Sequence, residues 1–152
     1  MLIYFGADHR GFQLKESLKN YFKESGYETV DVGNTESVAT DDYPDFAALA
    51  ARKVSLDSAN SRAILACGSG VGVDVVANKF PHVRSVLAFS PDQAVASKND
   101  DDTNVLCFAA DYITEEEARK IASAWLTAPF SGEERFKRRL RKIEDIENRR
   151  SL

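Results

Sequence analysis

The feature that most constrains this chain is its strict alternation of short apolar runs with amphipathic stretches of helical period. Residues 2–6 form an apolar run closed by Gly6, which suits a buried strand. Residues 10–25 follow with Leu14, Leu18, Tyr21 and Phe22 on one helical face, and Gly26 stands where a helix C-terminal glycine belongs. Residues 27–32 read as a second strand and residues 33–42 as a polar loop. Pro44 can open a helix in which Phe46, Leu49, Ala50 and Val54 share a face. Residues 62–67 read as a third strand, and a glycine-rich turn leads from it into a helix through Val75, Val76 and Asn78. Residues 84–89 read as a fourth strand, 91–98 as a short helix and 104–109 as a fifth strand.

Thr114 and Glu117 match a capping box before a helix carrying Ala118, Ile121, Ala122, Trp125 and Leu126. Phe130-Ser131-Gly132 breaks that helix. A last one sets Phe136, Leu140, Ile143 and Ile146 against a basic side. Five strands alternating with helices predict an α/β chain with a five-stranded parallel sheet covered on both faces, a three-layer α/β/α Rossmann-like sandwich. Its crossovers should be right-handed. A length of 152 residues suits one domain over 1–152.

Composition narrows the function. A net charge of −4 argues against whole-surface attraction to nucleic acid or to an anionic membrane. No apolar run approaches the ~20 residues of a membrane-spanning helix, and the opening residues, which reach Asp8 without a basic stretch, do not read as a signal peptide. Cys67 and Cys107, the only two cysteines, cannot make a disulfide framework and suit a reduced, cytoplasmic protein. The charge is uneven. Residues 133–152 hold eight basic and five acidic residues, an excess of three positive charges, which leaves the body at −7. As a bare pattern this tail is a solvated helix face; the alternative is that some of its arginines meet an anion.

In parallel sheets ligands bind beyond the carboxyl ends of the strands. The expected site therefore comprises Asp8-His9 after strand one, Cys67 to Gly72 after strand three, and the loop just before strand five. A glycine-rich turn opening a helix lets backbone N–H groups approach an anion. Gly68, Gly70 and Gly72 do not have dinucleotide spacing, because the third fingerprint position is Val73, and no Lys-Ser/Thr follows to make a Walker loop. Cys67, beside a helix N-terminus and a ring of N–H donors, should have a depressed pKa and can serve as nucleophile or base. The competing reading is a buried core cysteine, which is how Cys107 reads.

Several motifs then occur in order: Gly6-Ala7-Asp8-His9-x-Gly11, Asp42-Tyr43-Pro44-Asp45-Phe46-Ala47, Cys67-Gly68-Ser69-Gly70-Val71-Gly72, Ala77-Asn78-Lys79, Asp102-Thr103-Asn104-Val105, and Arg135 with Arg139. In this pattern the chain resembles the type B ribose-5-phosphate isomerase family, which also includes galactose-6-phosphate isomerase subunits. The resemblance spans essentially the whole length. It implies an aldose–ketose isomerase acting on a phosphorylated sugar, with no metal or organic cofactor. By the resemblance, Cys67 is the base moving a proton between C1 and C2 through an enediolate. Ser69 and the backbone of Gly68, Gly70, Val71 and Gly72 hold the developing oxyanion. Asp8, His9 and Tyr43 contact the sugar, and Arg135 and Arg139 bind its phosphate. The family's site lies between two subunits, which implies a homodimer or a dimer of dimers, with the basic helix at 133–150 at the interface.

This sequence departs from the family at three acidic positions. Asp100 stands where the ribose enzymes have a ring-opening His, Asp101 where they have Asn, and Asp111 where many have an Arg near the phosphate. Asp101 is kept as a substrate contact. Asp100 or His9 can open the ring, or the substrate is already open-chain, such as a tetrose phosphate. Galactose 6-phosphate and allose 6-phosphate stay open as substrates, as does a diverged sugar-phosphate-binding protein without turnover.

Overall fold

The computed structural model describes residues 1–149. Arg150, the last residue of the expected 133–150 helix, lies outside the described residues. The elements follow the predicted order: β1 (Leu2–Ala7), α1 (Phe12–Glu24), β2 (Glu28–Gly33), α2 (Tyr43–Leu56), β3 (Ser61–Cys67), α3 (Val71–Ala77), β4 (Ser85–Leu87), α4 (Pro91–Asp101), β5 (Val105–Ala109), α5 (Glu115–Thr127) and α6 (Glu134–Arg149). All strand pairs are parallel, and the sheet order is β2-β1-β3-β5-β4. The order in which strands are added reverses between β1 and β3, so a crevice opens at their carboxyl ends, where Ala7 pairs with Ala66, the residue before Cys67.

The alternation of side chains along β3 and β5 splits the interior into two cores. Ile64, Leu106 and Phe108 join Ile3 and Phe5 against Leu14, Leu18 and Phe22 of α1, Ala94 of α4, and Ile121 and Trp125 of α5. Ala63, Leu65, Val105 and Cys107 face Ala47, Ala50, Ala51 and Val54 of α2 and Val73 and Ala77 of α3. The second core is rich in alanine, so α2 and α3 lie close to the sheet. That closeness sets the start of α3 directly over the end of β3.

Local chemistry explains the element ends. Thr114 and Glu117 form the expected capping box, the Thr114 hydroxyl accepting from Glu117 N–H at 3.3 Å while the Glu117 carboxylate accepts from Thr114 N–H at 2.9 Å. β4 is shorter than the expected 84–89, because the Phe89 N–H donates to the Gln93 side chain at 2.9 Å instead of extending the ladder. α4 runs three residues past the expected Lys98 and stops at Asp102, which takes a left-handed conformation at φ 45. α6 packs against α4, and Phe136 is its one buried side chain among the described residues.

A buried ion cluster ties α1 to β2. Lys15 is 1% exposed, and its Nζ donates to Asp31 at 2.5 Å and to Glu16 at 2.6 Å. Lys19 donates to the same Asp31 oxygen at 2.5 Å. Burial pushes the Asp31 carboxyl up, but hydrogen bonds from Lys15, Lys19 and the Gly33 N–H outweigh it and hold the pKa at about 2. A depressed folded-state pKa contributes stability above the unfolded value, and that stability is lost as pH falls through the folded value. Asp31→Asn should therefore lower Tm at pH 7. The gap from the parent chain should narrow as pH falls from ~4 toward 2, as followed by thermal denaturation. A gap independent of pH would show that Asp31 does not act through its charge.

Candidate active site

A cleft of about 460 Å³ lies at the carboxyl end of the sheet, lined by Asp8, Arg10, Tyr43, Cys67, Ser69 and Asp111, among others. Its floor is the turn from β3 into α3. Cys67 ends β3, is 4% exposed, and its Sγ accepts the Gly70 N–H at 3.2 Å. Gly70 has φ +73, a left-handed conformation that brings its N–H back over the strand end. The Ser69 hydroxyl accepts the Val71 N–H at 3.4 Å. Gly72 faces Tyr43: a Cβ there would lie 2.6 Å from the ring, so the aromatic wall of the cleft needs a glycine opposite it. A sulfur, a hydroxyl and the N–H groups of a helix start thus converge on one space. This is the arrangement that a proton transfer beside a developing oxyanion requires.

The wall opposite is the turn after β1. Asp8 is 5% exposed, and its Oδ1 accepts the N–H groups of Arg10 and Gly11, both at 3.0 Å. His9 is not among the cleft-lining residues. Its ring Nδ1 lies 2.7 Å from Asp41 Oδ1, and its backbone N–H donates to the same oxygen at 2.9 Å. Burial pushes the Asp41 carboxyl up, but hydrogen bonds from Asn34 and from His9 hold it below the usual carboxylate range. His9 is therefore oriented by a carboxylate, as an acid–base histidine would be.

Not every expected residue meets here. Asp100 and Asp101 fall in the last turn of α4 rather than in a loop. In a parallel sheet the segment before a strand lies at the amino end, so the expectation that the residues before β5 share a rim with Cys67 is corrected. Asp101 lines a separate hollow with Asn78, Arg84, Ile143 and Ile146. Arg135 and Arg139 stack on Phe136, with their guanidinium carbons 4.4 and 5.4 Å from the ring centre, and Arg135 pairs with Glu133 at 2.9 Å. Neither lines the cleft. Cys107 is fully buried, and burial pushes its thiol well up, so it has no thiolate role. The structure adds Arg10, which forms an ion pair at the cleft with Asp111, the residue already noted where many of the family have an Arg. Arg10 is the unassigned residue inside the Asp8-His9-x-Gly11 motif, and its place there was the one available signal.

Residues 3–143 match the Ribose/Galactose Isomerase family. The chain is 40% identical over 141 residues to the probable ribose-5-phosphate isomerase B of Mycoplasma genitalium, covering 93% of this chain and 92% of that one. It is 40% identical over 149 residues to ribose-5-phosphate isomerase B of Escherichia coli, covering 98% of each. Among solved structures, ribose-5-phosphate isomerase B of Mycoplasma genitalium with bound ribulose-5-phosphate superposes with a TM-score of 0.94 at 39% identity, covering 97% of this chain and 96% of that one. The type B enzyme of Trypanosoma cruzi superposes with a TM-score of 0.92 at 36% identity, covering 98% and 97%. Fold, cleft and relatives together define an enzyme of the sugar-phosphate aldose–ketose isomerase class. The chain belongs to the Ribose/Galactose Isomerase family.

Proposed function

We propose that this enzyme interconverts ribose 5-phosphate and ribulose 5-phosphate, with Cys67 as the base. The observation that carries the reading is the Cys67 sulfur on the cleft floor, 3.2 Å from the Gly70 N–H, at the start of a helix. The Cys67 thiolate takes the C2 proton of the open-chain aldose. The electron pair moves into a C1–C2 double bond, and the C1 oxygen becomes an oxyanion beside the Ser69 hydroxyl and the N–H groups of the glycine loop. The thiol then returns its proton to C1 as the C2 oxygen becomes the ketone, with one proton passing between the two oxygens. Asp8, His9 and Tyr43 orient the sugar.

Asp100, Asp101, Arg135 and Arg139 belong to the site on this reading, although none lines the cleft of their own chain. The reading therefore takes them from a second copy in a homodimer or dimer of dimers, with α6 at the boundary. The family's shared site and the exposed Ile146 of α6 support it. Among the described residues no helix is long and apolar enough to cross a membrane. Two free cysteines, both buried, support a cytoplasmic setting.

One observation favours a second reading. Asp100 and Asp101 replace the family's His-Asn, so an open-chain tetrose phosphate, needing no ring opening, fits the same base and loop. A panel of tetrose, pentose and hexose phosphates separates the two readings. The expected result is highest kcat/KM on ribose 5-phosphate. Preference for a tetrose phosphate, or binding without turnover of any sugar in the panel, would overturn the ribose assignment.

A further inference from the structure

We propose that Arg10, held against the glycine loop by Asp111, is the residue with which this chain grips the substrate's phosphate from inside its own cleft. The proposal rests on the isomerase reading. Among the described residues Arg10 is the single basic side chain lining the cleft, against the carboxylates of Asp8 and Asp111. It is fixed at both ends. Its backbone N–H donates to Asp8 at 3.0 Å, and its Nη2 donates to Asp111 Oδ2. Asp111 is itself anchored, its N–H donating to the Gly68 carbonyl at 3.0 Å. The partners of the ion pair stand 101 positions apart in sequence.

The guanidinium lies on the loop. A Cβ added at Gly68 would sit 2.6 Å from Arg10 Nε, 2.7 Å from Cζ and 2.8 Å from Asp111 Oδ2. The absence of a side chain at Gly68 leaves the space in which the ion pair lies. Among the described residues only Nη2 of this guanidinium donates to protein, and the side chain is 58% exposed. An arginine with one edge on a carboxylate and the other free is prepared for two parallel hydrogen bonds to an oxyanion. The one permanently charged group of a sugar phosphate is its phosphate, and the free edge of the guanidinium matches that group rather than a neutral hydroxyl. Asp111 cancels the charge at long range, so the pair selects at contact rather than by attraction from afar.

The test compares the parent enzyme with Arg10→Ala, Arg10→Lys and Asp111→Asn. Three quantities are read: KM for ribose 5-phosphate, the ratio of kcat/KM on ribose 5-phosphate to that on unphosphorylated ribose, and the thermal shift produced by inorganic phosphate. Arg10→Ala should raise KM and lower the ratio by about 10–100-fold, the loss of a charge-assisted pair. Most of the phosphate-induced shift should go with it. Arg10→Lys should fall between, because a lysine offers no fork. Asp111→Asn leaves Arg10 in place but loosely held, and should raise KM several-fold; it serves if Arg10→Ala does not fold. An unchanged ratio with an unchanged phosphate shift would overturn the proposal. An equal loss on both sugars would also overturn it, placing Arg10 at the sugar end. A parent enzyme inactive on ribose 5-phosphate would instead defeat the isomerase reading, and the phosphate shift would still decide the role of Arg10.

Discussion

Cys67→Ser is expected to lower kcat by about 10²–10⁴-fold, the usual contribution of a positioned general base. The serine hydroxyl fits the space and can still accept the Gly70 N–H, so the loop and the cleft should persist. What is lost is the sulfur base proposed to take the carbon-bound proton. Exchange of the substrate C2 proton with deuterated solvent, followed by NMR, reads that step directly. Exchange at the parent rate would remove Cys67 from the mechanism. The same variant tests the shared site. Cys67→Ser and the double variant Arg135→Ala/Arg139→Ala should each be inactive alone. Mixed and allowed to exchange subunits, they should recover about a quarter of parental activity, because half of the dimers then carry one intact site of two. No recovery would mean that all of these residues serve one chain.

Trp125→Ala should be the most damaging change away from the cleft. The indole is 0% exposed in the core formed by α1, α4, α5 and the sheet, and its Nε1 donates to the Thr103 hydroxyl at 2.9 Å. Removing a fully buried tryptophan costs about 3–5 kcal/mol. For a chain of this size that lowers Tm by roughly 10 °C or more. The Thr103 hydroxyl also pairs with Ser97 at 3.0 Å, so the loss reaches the base of α4. Trp125→Phe keeps most of the volume and should cost about 1–2 kcal/mol, mainly for the lost hydrogen bond. Urea and thermal denaturation measure both. A loss below ~1 kcal/mol for the alanine variant would show that this side of the core repacks freely.

The elements were legible where a local pattern decides them. The 3.6-residue period of α1, the capping box at Thr114 and the glycine turn after Cys67 each rest on neighbours within a few residues. The ends of β4 and α4 were not, because they depend on where the Gln93 side chain and the Asp102 backbone turn. At the site, Cys67 and its loop could be read because sulfur, glycines and helix start are contiguous. The Arg10–Asp111 pair could not, since its partners come from the ends of two different strands. Asp100 was legible as a departure from the family but was set at the wrong end of the sheet. Assigning it needed strand polarity, not residue type.

The floor of the cleft has a consequence for how such an enzyme diverges. On the proposed mechanism its donors to a developing oxyanion are mostly peptide N–H groups, placed by the left-handed Gly70 and the helix start. A peptide N–H survives every substitution except that to proline. On the proposed mechanism the reaction type is lodged in the main chain plus one sulfur, whereas the proposed grip on the phosphate is lodged in replaceable side chains, Arg10 and its partner Asp111. Drift at those positions can retune which sugar is accepted while the proton transfer itself stays intact.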